Sequence, residues 1–179
     1  MMDLTEKTIS SETIFEGRVV HLVRDVVELG NGKQTTREVV KHPGGVCVLA
    51  LTDEGKVVMV RQFRYAHMTV QLEIPAGKLE YGENPRECGI RELEEETGYK
   101  AGSFEFLGKM LPTPAYVGEV IYIFIARELH KVGQKLDEDE FLEVVEIGFD
   151  EAYSMVMDGI ITDAKTQIAL MKARLMFDL

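Results

Sequence analysis

Between residues 91 and 98 the chain reads Arg91-Glu92-Leu93-Glu94-Glu95-Glu96-Thr97-Gly98. On an α-helix Glu92 and Glu96 are related as i and i+4, and Glu95 follows Glu92 by three, so all three project from one side. Like charges at these spacings destabilise a helix by about 0.2–0.5 kcal/mol per pair. Glu94 adds to the repulsion, and Arg91 is the cation near enough to offset it. A divalent cation would remove the repulsion, because Mg²⁺ takes carboxylate oxygens and can hold substrate phosphates at the same time. The competing reading of an isolated acidic run is a solvated helix face.

The elements that must position these carboxylates can be read on either side. Asn84 is a helix cap, Pro85 suits the first helical position, and Glu87 stands where a capping-box carboxylate reaches back. Gly98 ends the helix as a left-handed cap. Ile90 and Leu93 lie on another side, suited to packing on a sheet. Residues 76–83, with Gly77 and Gly82, read as the preceding loop. Upstream, 19–29 and 35–42 are strands around the turn Gly30-Asn31-Gly32, and 46–52 and 57–64 flank Asp53-Glu54-Gly55-Lys56 in the same way. Downstream, strands are predicted at 104–110, 119–127 and 144–149. A helix runs from Asp150 to about Met157, and Asp163 caps a last one to about Met176, whose methionines are expected in the core. Strands, one inserted helix and terminal helices make an α+β fold.

Composition narrows the function. The chain has 179 residues, 45% hydrophobic and 28% charged, which suits a single domain. A net charge of −11 argues against nucleic-acid binding. An acidic protein can still act on an anion if metal ions invert the local field. The stretch from Met1 to Glu12 has no apolar region of a signal peptide, and Val120 to Ala126 is too short to cross a bilayer. A cytoplasmic protein without membrane association is expected. Cys47 lies in an apolar run, Val46-Cys47-Val48-Leu49, and reads as a buried free thiol, with a disulfide to Cys88 as the lesser alternative; the two do not make a zinc site.

The segment from Gly77 to Tyr99 fits Gly-x5-Glu-x7-Arg-Glu-U-x-Glu-Glu-x-Gly-U, where U is bulky and apolar; every fixed position matches, and Tyr99 is the one soft departure. Chance agreement is on the order of 10⁻⁹ per start position. In this it resembles the Nudix hydrolases. The resemblance implies a mixed sheet between helices, here with an N-terminal antiparallel strand extension (1–42) and a catalytic core (43–179). It implies Mg²⁺, with Mn²⁺ as a substitute, held by Glu92, Glu96 and the Ala76 carbonyl, with Glu95 a further ligand or base. Gly77, Glu83, Arg91 and Gly98 are structural by the same likeness, Glu83 pairing with Arg91.

Three further features resemble the ADP-ribose pyrophosphatase branch. Pro114 lies sixteen residues beyond Gly98. Arg61-Gln62-Phe63-Arg64-Tyr65 and Gln71-Leu72-Glu73-Ile74-Pro75-Ala76 precede the box. Residues 137–143 hold five carboxylates, Asp137, Glu138, Asp139, Glu140 and Glu143. By resemblance Glu140 serves metal or water activation, and Glu138 is the alternative base. This sequence reads Pro114-Ala115-Tyr116 where relatives often read Pro-Gly-Phe. Arg37 and Arg64 are candidates for the substrate phosphates, since guanidinium forks match phosphate oxygens; solvent-facing strand charges are the other reading of each. With no tryptophan in the chain, the adenine would stack on Phe15, Arg18 or Tyr116. The expected reaction is hydrolysis of ADP-ribose to AMP and ribose 5-phosphate. The alternatives are another nucleoside diphosphate sugar such as GDP-mannose, a dinucleotide, or a non-catalytic nucleotide sensor. In the branch the N-terminal strands exchange across a homodimer, and 19–29 could do so here, although an intramolecular hairpin would have the same sequence.

Overall fold

The computed structural model describes residues 3–136 and 141–177. It divides into two compact units, residues 1–44 with 111–120, and residues 45–110 with 121–179. The first carries a three-stranded antiparallel sheet of β1 (Glu6–Glu16), β2 (His21–Leu29) and β3 (Gln34–Lys41), in the order β1-β2-β3. The expected turn joins β2 to β3: Gly32 has φ 78° and its N–H donates to Leu29 O at 2.8 Å, while Asn31 Oδ1 accepts from Lys33 N. Strand β1 was not foreseen. Every residue of it is exposed, so no alternation of burial marks it in the sequence. The segment 111–120 closes on β3, with Val40 N donating to Tyr116 O at 2.8 Å and Gly118 N to Val40 O at 2.9 Å.

The second unit is a mixed sheet ordered β10-β5-β4-β9-β8, where β4 is Gly45–Leu51, β5 Lys56–Arg64, β8 Tyr99–Met110, β9 Ile121–Lys131 and β10 Leu142–Gly148. Strands β4 and β9 run parallel, and two short strands, β6 (Thr69–Glu73) and β7 (Ala76–Lys78), pair with β5 and β4. β4 is buried along its whole length, as befits a strand covered on both faces. Alternation along it sorts the core. Cys47, Leu49 and Leu51 pack with Ala152 and Val156 of α2 (Phe149–Met157) and with Ala169, Leu170 and Ala173 of α3 (Ala164–Phe177). Val48 and Ala50 meet Leu93, and Val46 meets Cys88, both on α1 (Pro85–Thr97). The sheet therefore lies between helices, as expected. No helix among the described residues is long and apolar enough to cross a membrane.

Several boundaries shift. β8 starts directly after Gly98 rather than at 104, because it is a sheet edge whose polar residues Lys100 and Ser103 break the apolar pattern. The expected loop at 76 begins as strand β7, too short to carry a pattern. The methionines of α3 do not fill the core: Met171 and Met176 are exposed, and Ala169, Leu170 and Ala173 pack on the sheet instead. Both cysteines are buried and free, with burial pushing each thiol up to about 12.

Candidate active site

Helix α1 begins and ends as its sequence dictates. Asn84 Oδ1 accepts from Arg86 N at 2.9 Å, Pro85 takes the first turn, and Gly98 closes the helix at φ 72° with its N–H on Glu94 O at 2.9 Å. A Cβ on Gly98 would also stand 2.7 Å from Gln134 N, so the position excludes side chains twice over. Glu87 makes no capping-box bond among the described residues; Asn84 alone caps the helix.

The carboxylates of α1 go to different places. Glu96 is 4% exposed, and its Oε2 accepts from Ala76 N at 2.9 Å. The Glu92 carboxylate lies over Gly77 so closely that a Cβ there would fall 1.9 Å from Glu92 Cδ. Both side chains thus reach the same two-residue stretch of β7, and Gly77 is required by that approach. Glu95 is more exposed and pairs with Arg91 Nη1 at 2.8 Å. Arg91 Nη1 also lies 2.9 Å from Glu92 Oε1, and Nη2 lies 3.3 Å from Glu83 Oε1. Burial alone would lower the pKa of Arg91; Glu92 and the hydrogen bond to Glu95 outweigh it and raise it. Glu83 in turn accepts from Glu80 N at 2.9 Å, the main reason its pKa lies below the ordinary value. The pairing of Glu83 with Arg91 across the loop and helix is therefore present.

Glu94 departs from the expected set. It turns to Lys100 Nζ at 3.2 Å and Lys135 Nζ at 3.1 Å, whose hydrogen bonds lower its pKa. Arg91 is thus not the only cation to relieve the acidic run; Lys135 is far along the chain and Lys100 lies past the cap, which hid both from local reading. Among the described residues no three His, Cys, Asp or Glu side chains stand grouped as a metal site. The donor set still suits a hard cation. Two carboxylates brought to one main-chain segment, without thiol or imidazole, are the oxygen chemistry Mg²⁺ takes.

Arg64, at the end of β5, gives its Nε and Nη2 to Glu73 at 2.8 and 2.6 Å. Sequence reading missed Glu73 as a charged partner, and missed Lys165, whose Nζ reaches Glu73 Oε2 at 2.5 Å. A signal existed: a lysine in the first turn of a helix opposes the macrodipole and needs nearby carboxylates. Burial works to raise the pKa of Glu73, but hydrogen bonds from Arg64 and Lys165 leave it below the ordinary value. Arg64, Ala76, Gly77, Glu83, Arg91, Glu92, Glu95, Glu96 and Gly98 all belong to this second unit.

Arg18, Phe15, Arg37, Pro114 and Tyr116 belong to the first. Arg37 does not present an open fork: Nη2 and Nε bind Glu6 at 2.6 and 3.0 Å, and Nη1 bonds Thr36 O. Within the chain it is tied to the unforeseen β1 as an exposed strand charge. Phe15 is 56% exposed, with its ring over Gly17, where a Cβ would approach to 2.7 Å. Arg18, Pro114 and Tyr116 are exposed. Glu138 and Glu140 lie outside the described residues.

A carboxylate-bearing helix capped by glycine, a glycine-backed Glu92 and a mixed sheet between helices define the class. The chain belongs to the NUDIX family: the NUDIX domain matches residues 41–170, and the nucleoside diphosphate sugar hydrolase N-terminal domain matches residues 6–40. The chain is 48% identical to the ADP-ribose pyrophosphatase of Bacillus subtilis (strain 168), over 95% of this chain and 93% of that protein. It is also 48% identical to the methanol dehydrogenase activator of Bacillus methanolicus (92% and 90%), and 36% identical to a GDP-mannose pyrophosphatase of Yersinia enterocolitica (82% and 81%). A crystal structure of an ADP compounds hydrolase superposes with a TM-score of 0.85, covering 98% of this chain and 96% of that one, at 22% identity, a likeness of fold.

Proposed function

We propose that the chain hydrolyses the diphosphate of ADP-ribose, giving AMP and ribose 5-phosphate. The observation that carries the reading is the convergence of Glu92 and Glu96 on the Ala76–Gly77 backbone. Glu92, Glu96 and the Ala76 carbonyl would hold Mg²⁺, or Mn²⁺ in its place, which when bound supplies Lewis acidity toward water and the diphosphate. A carboxylate accepts the proton of the attacking water as a phosphorus–oxygen bond of the diphosphate breaks; Glu95, Glu138 and Glu140 are the candidates. Gly77 keeps the approach open, while Glu83 and Arg91 hold loop to helix. Arg64 faces an anion with the Nη1 side of its fork, which has no protein partner among the described residues.

The identity to the Bacillus subtilis enzyme supports ADP-ribose, and the Yersinia relative keeps GDP-mannose as the competing substrate. The equal identity to the methanol dehydrogenase activator favours a second reading, in which the chain acts on a dehydrogenase. A second copy joined through the N-terminal strands is also part of the proposal, supported by the wholly exposed β1 with its outward Ile9, Ile14 and Phe15; light scattering should give twice the chain mass. The test of activity is a panel of ADP-ribose, GDP-mannose, NADH and dinucleoside polyphosphates, with Mg²⁺ and with chelator, products identified. ADP-ribose should lead. Comparable rates on GDP-mannose would defeat the substrate assignment, and stimulation of a methanol dehydrogenase without turnover of free nucleotide would favour the second reading.

A further inference from the structure

Beside Arg64 the second unit has an open cavity of about 650 Å³, lined by Arg64, Tyr65, His67, Gln71, Glu73 and Lys165 among others. Its charged groups form one chain of contacts. Lys165 is the second residue of α3 and is 9% exposed. Its Nζ lies 2.5 Å from Glu73 Oε2 and 2.9 Å from Asp163 Oδ1. Asp163 Oδ2 accepts from Thr166 N at 3.0 Å and from Thr166 Oγ1 at 2.6 Å, and Thr166 Oγ1 accepts from Ile74 N at 3.0 Å. The first turn of α3 thereby grips both Glu73 and the residue after it.

Glu73 is the link to Arg64. Both of its oxygens take the Nε and Nη2 side of the guanidinium, and that bidentate geometry fixes the plane of the fork. A long arginine at a strand end has many rotamers to lose, and a carboxylate held from one side only would wander with it. Lys165 holds that carboxylate from the other side.

We propose that Lys165 is a positioning residue, which by clamping Glu73 keeps Arg64 oriented to receive an oxygen of the substrate diphosphate. This rests on the reading that Arg64 meets that diphosphate. Lys165 itself touches no substrate. Its loss acts through Arg64 on binding, and leaves the carboxylates of α1 in place.

The test is a double-mutant cycle of Lys165→Met and Arg64→Gln, read as KM and kcat on ADP-ribose with saturating Mg²⁺. Lys165→Met should raise KM about tenfold, the scale of one charge-assisted hydrogen bond, with kcat nearly unchanged. In the Arg64→Gln background the same substitution should add no further rise. Equal effects in both backgrounds, or a fall in kcat alone, would overturn the proposal. Should Lys165→Met fail to fold, the neutral pair Glu73→Gln/Lys165→Met replaces it; the same rise in KM is expected, and an unchanged KM overturns the idea. A wild type that hydrolyses no nucleoside diphosphate derivative fails the activity reading and takes this inference with it. An active wild type with an additive cycle fails the inference alone.

Discussion

Two clusters on the second unit treat carboxylates in opposite ways. Around Arg91, the carboxylates of Glu83, Glu92 and Glu95 share one guanidinium. Around Glu73, the cations Arg64 and Lys165 meet Glu73 and Asp163, and charge balances within the cluster. A balanced network around a buried carboxylate fixes geometry. An acid-rich one retains capacity for a cation from outside. The contrast also divides the acidic run: Glu94 is matched by Lys100 and Lys135, while Glu92 and Glu95 share Arg91.

Substitutions at either cluster can break this contrast. The largest effect is expected from Glu96→Gln, which keeps an oxygen for Ala76 N but loses the charge: turnover should fall by about 10²–10⁴, with the far-ultraviolet spectrum unchanged. Near-normal turnover would remove Glu96 from the chemistry. Mg²⁺ itself should raise the melting temperature of the wild type by linkage, and less so in Glu92→Gln/Glu96→Gln, whereas equal shifts would place the cation elsewhere. Gly77→Ala drives a methyl into the Glu92 carboxylate and should cost about 1–3 kcal/mol in denaturant unfolding along with activity; a neutral outcome would mean the approach is looser than described.

The pH dependence sharpens the balanced side. The folded pKa of Glu73 is depressed, so its stabilising effect is present above the ordinary 4.5 and is lost as pH falls through the folded value. Melting temperature should drop over that acidic range, less steeply in Glu73→Gln/Lys165→Met; matching slopes would assign the drop to other carboxylates. Smallest of all, Lys135→Ala should lower the melting temperature by about 2 °C or less, since Glu94 keeps Lys100 and exposed pairs contribute little.

The box helix was legible because its signals are local: Asn84 and Pro85 start it, Gly98 stops it, and Glu92 to Glu96 repeat at helical spacing. β1 was not, because an exposed strand of Thr, Ser and Glu has no buried face to impose alternation. That omission concealed Glu6, and with it the partner that takes up Arg37. Glu73 and Lys165 are 92 residues apart, so only the folded chain reveals the pair. Gly77 was visible as a motif position; the Glu92 carboxylate that makes it obligatory was not.

The two inert sulfurs give the molecule an internal clock. Cys47 lies on β4 beneath α2 and α3, whereas Cys88 is on α1 itself and packs onto Val46, so each reports on a different face of the sheet. Because both thiols are fully buried, alkylation must await opening of the surrounding layer. Which sulfur is labelled first by iodoacetamide would reveal whether the helix bearing the carboxylates detaches before the opposite pair.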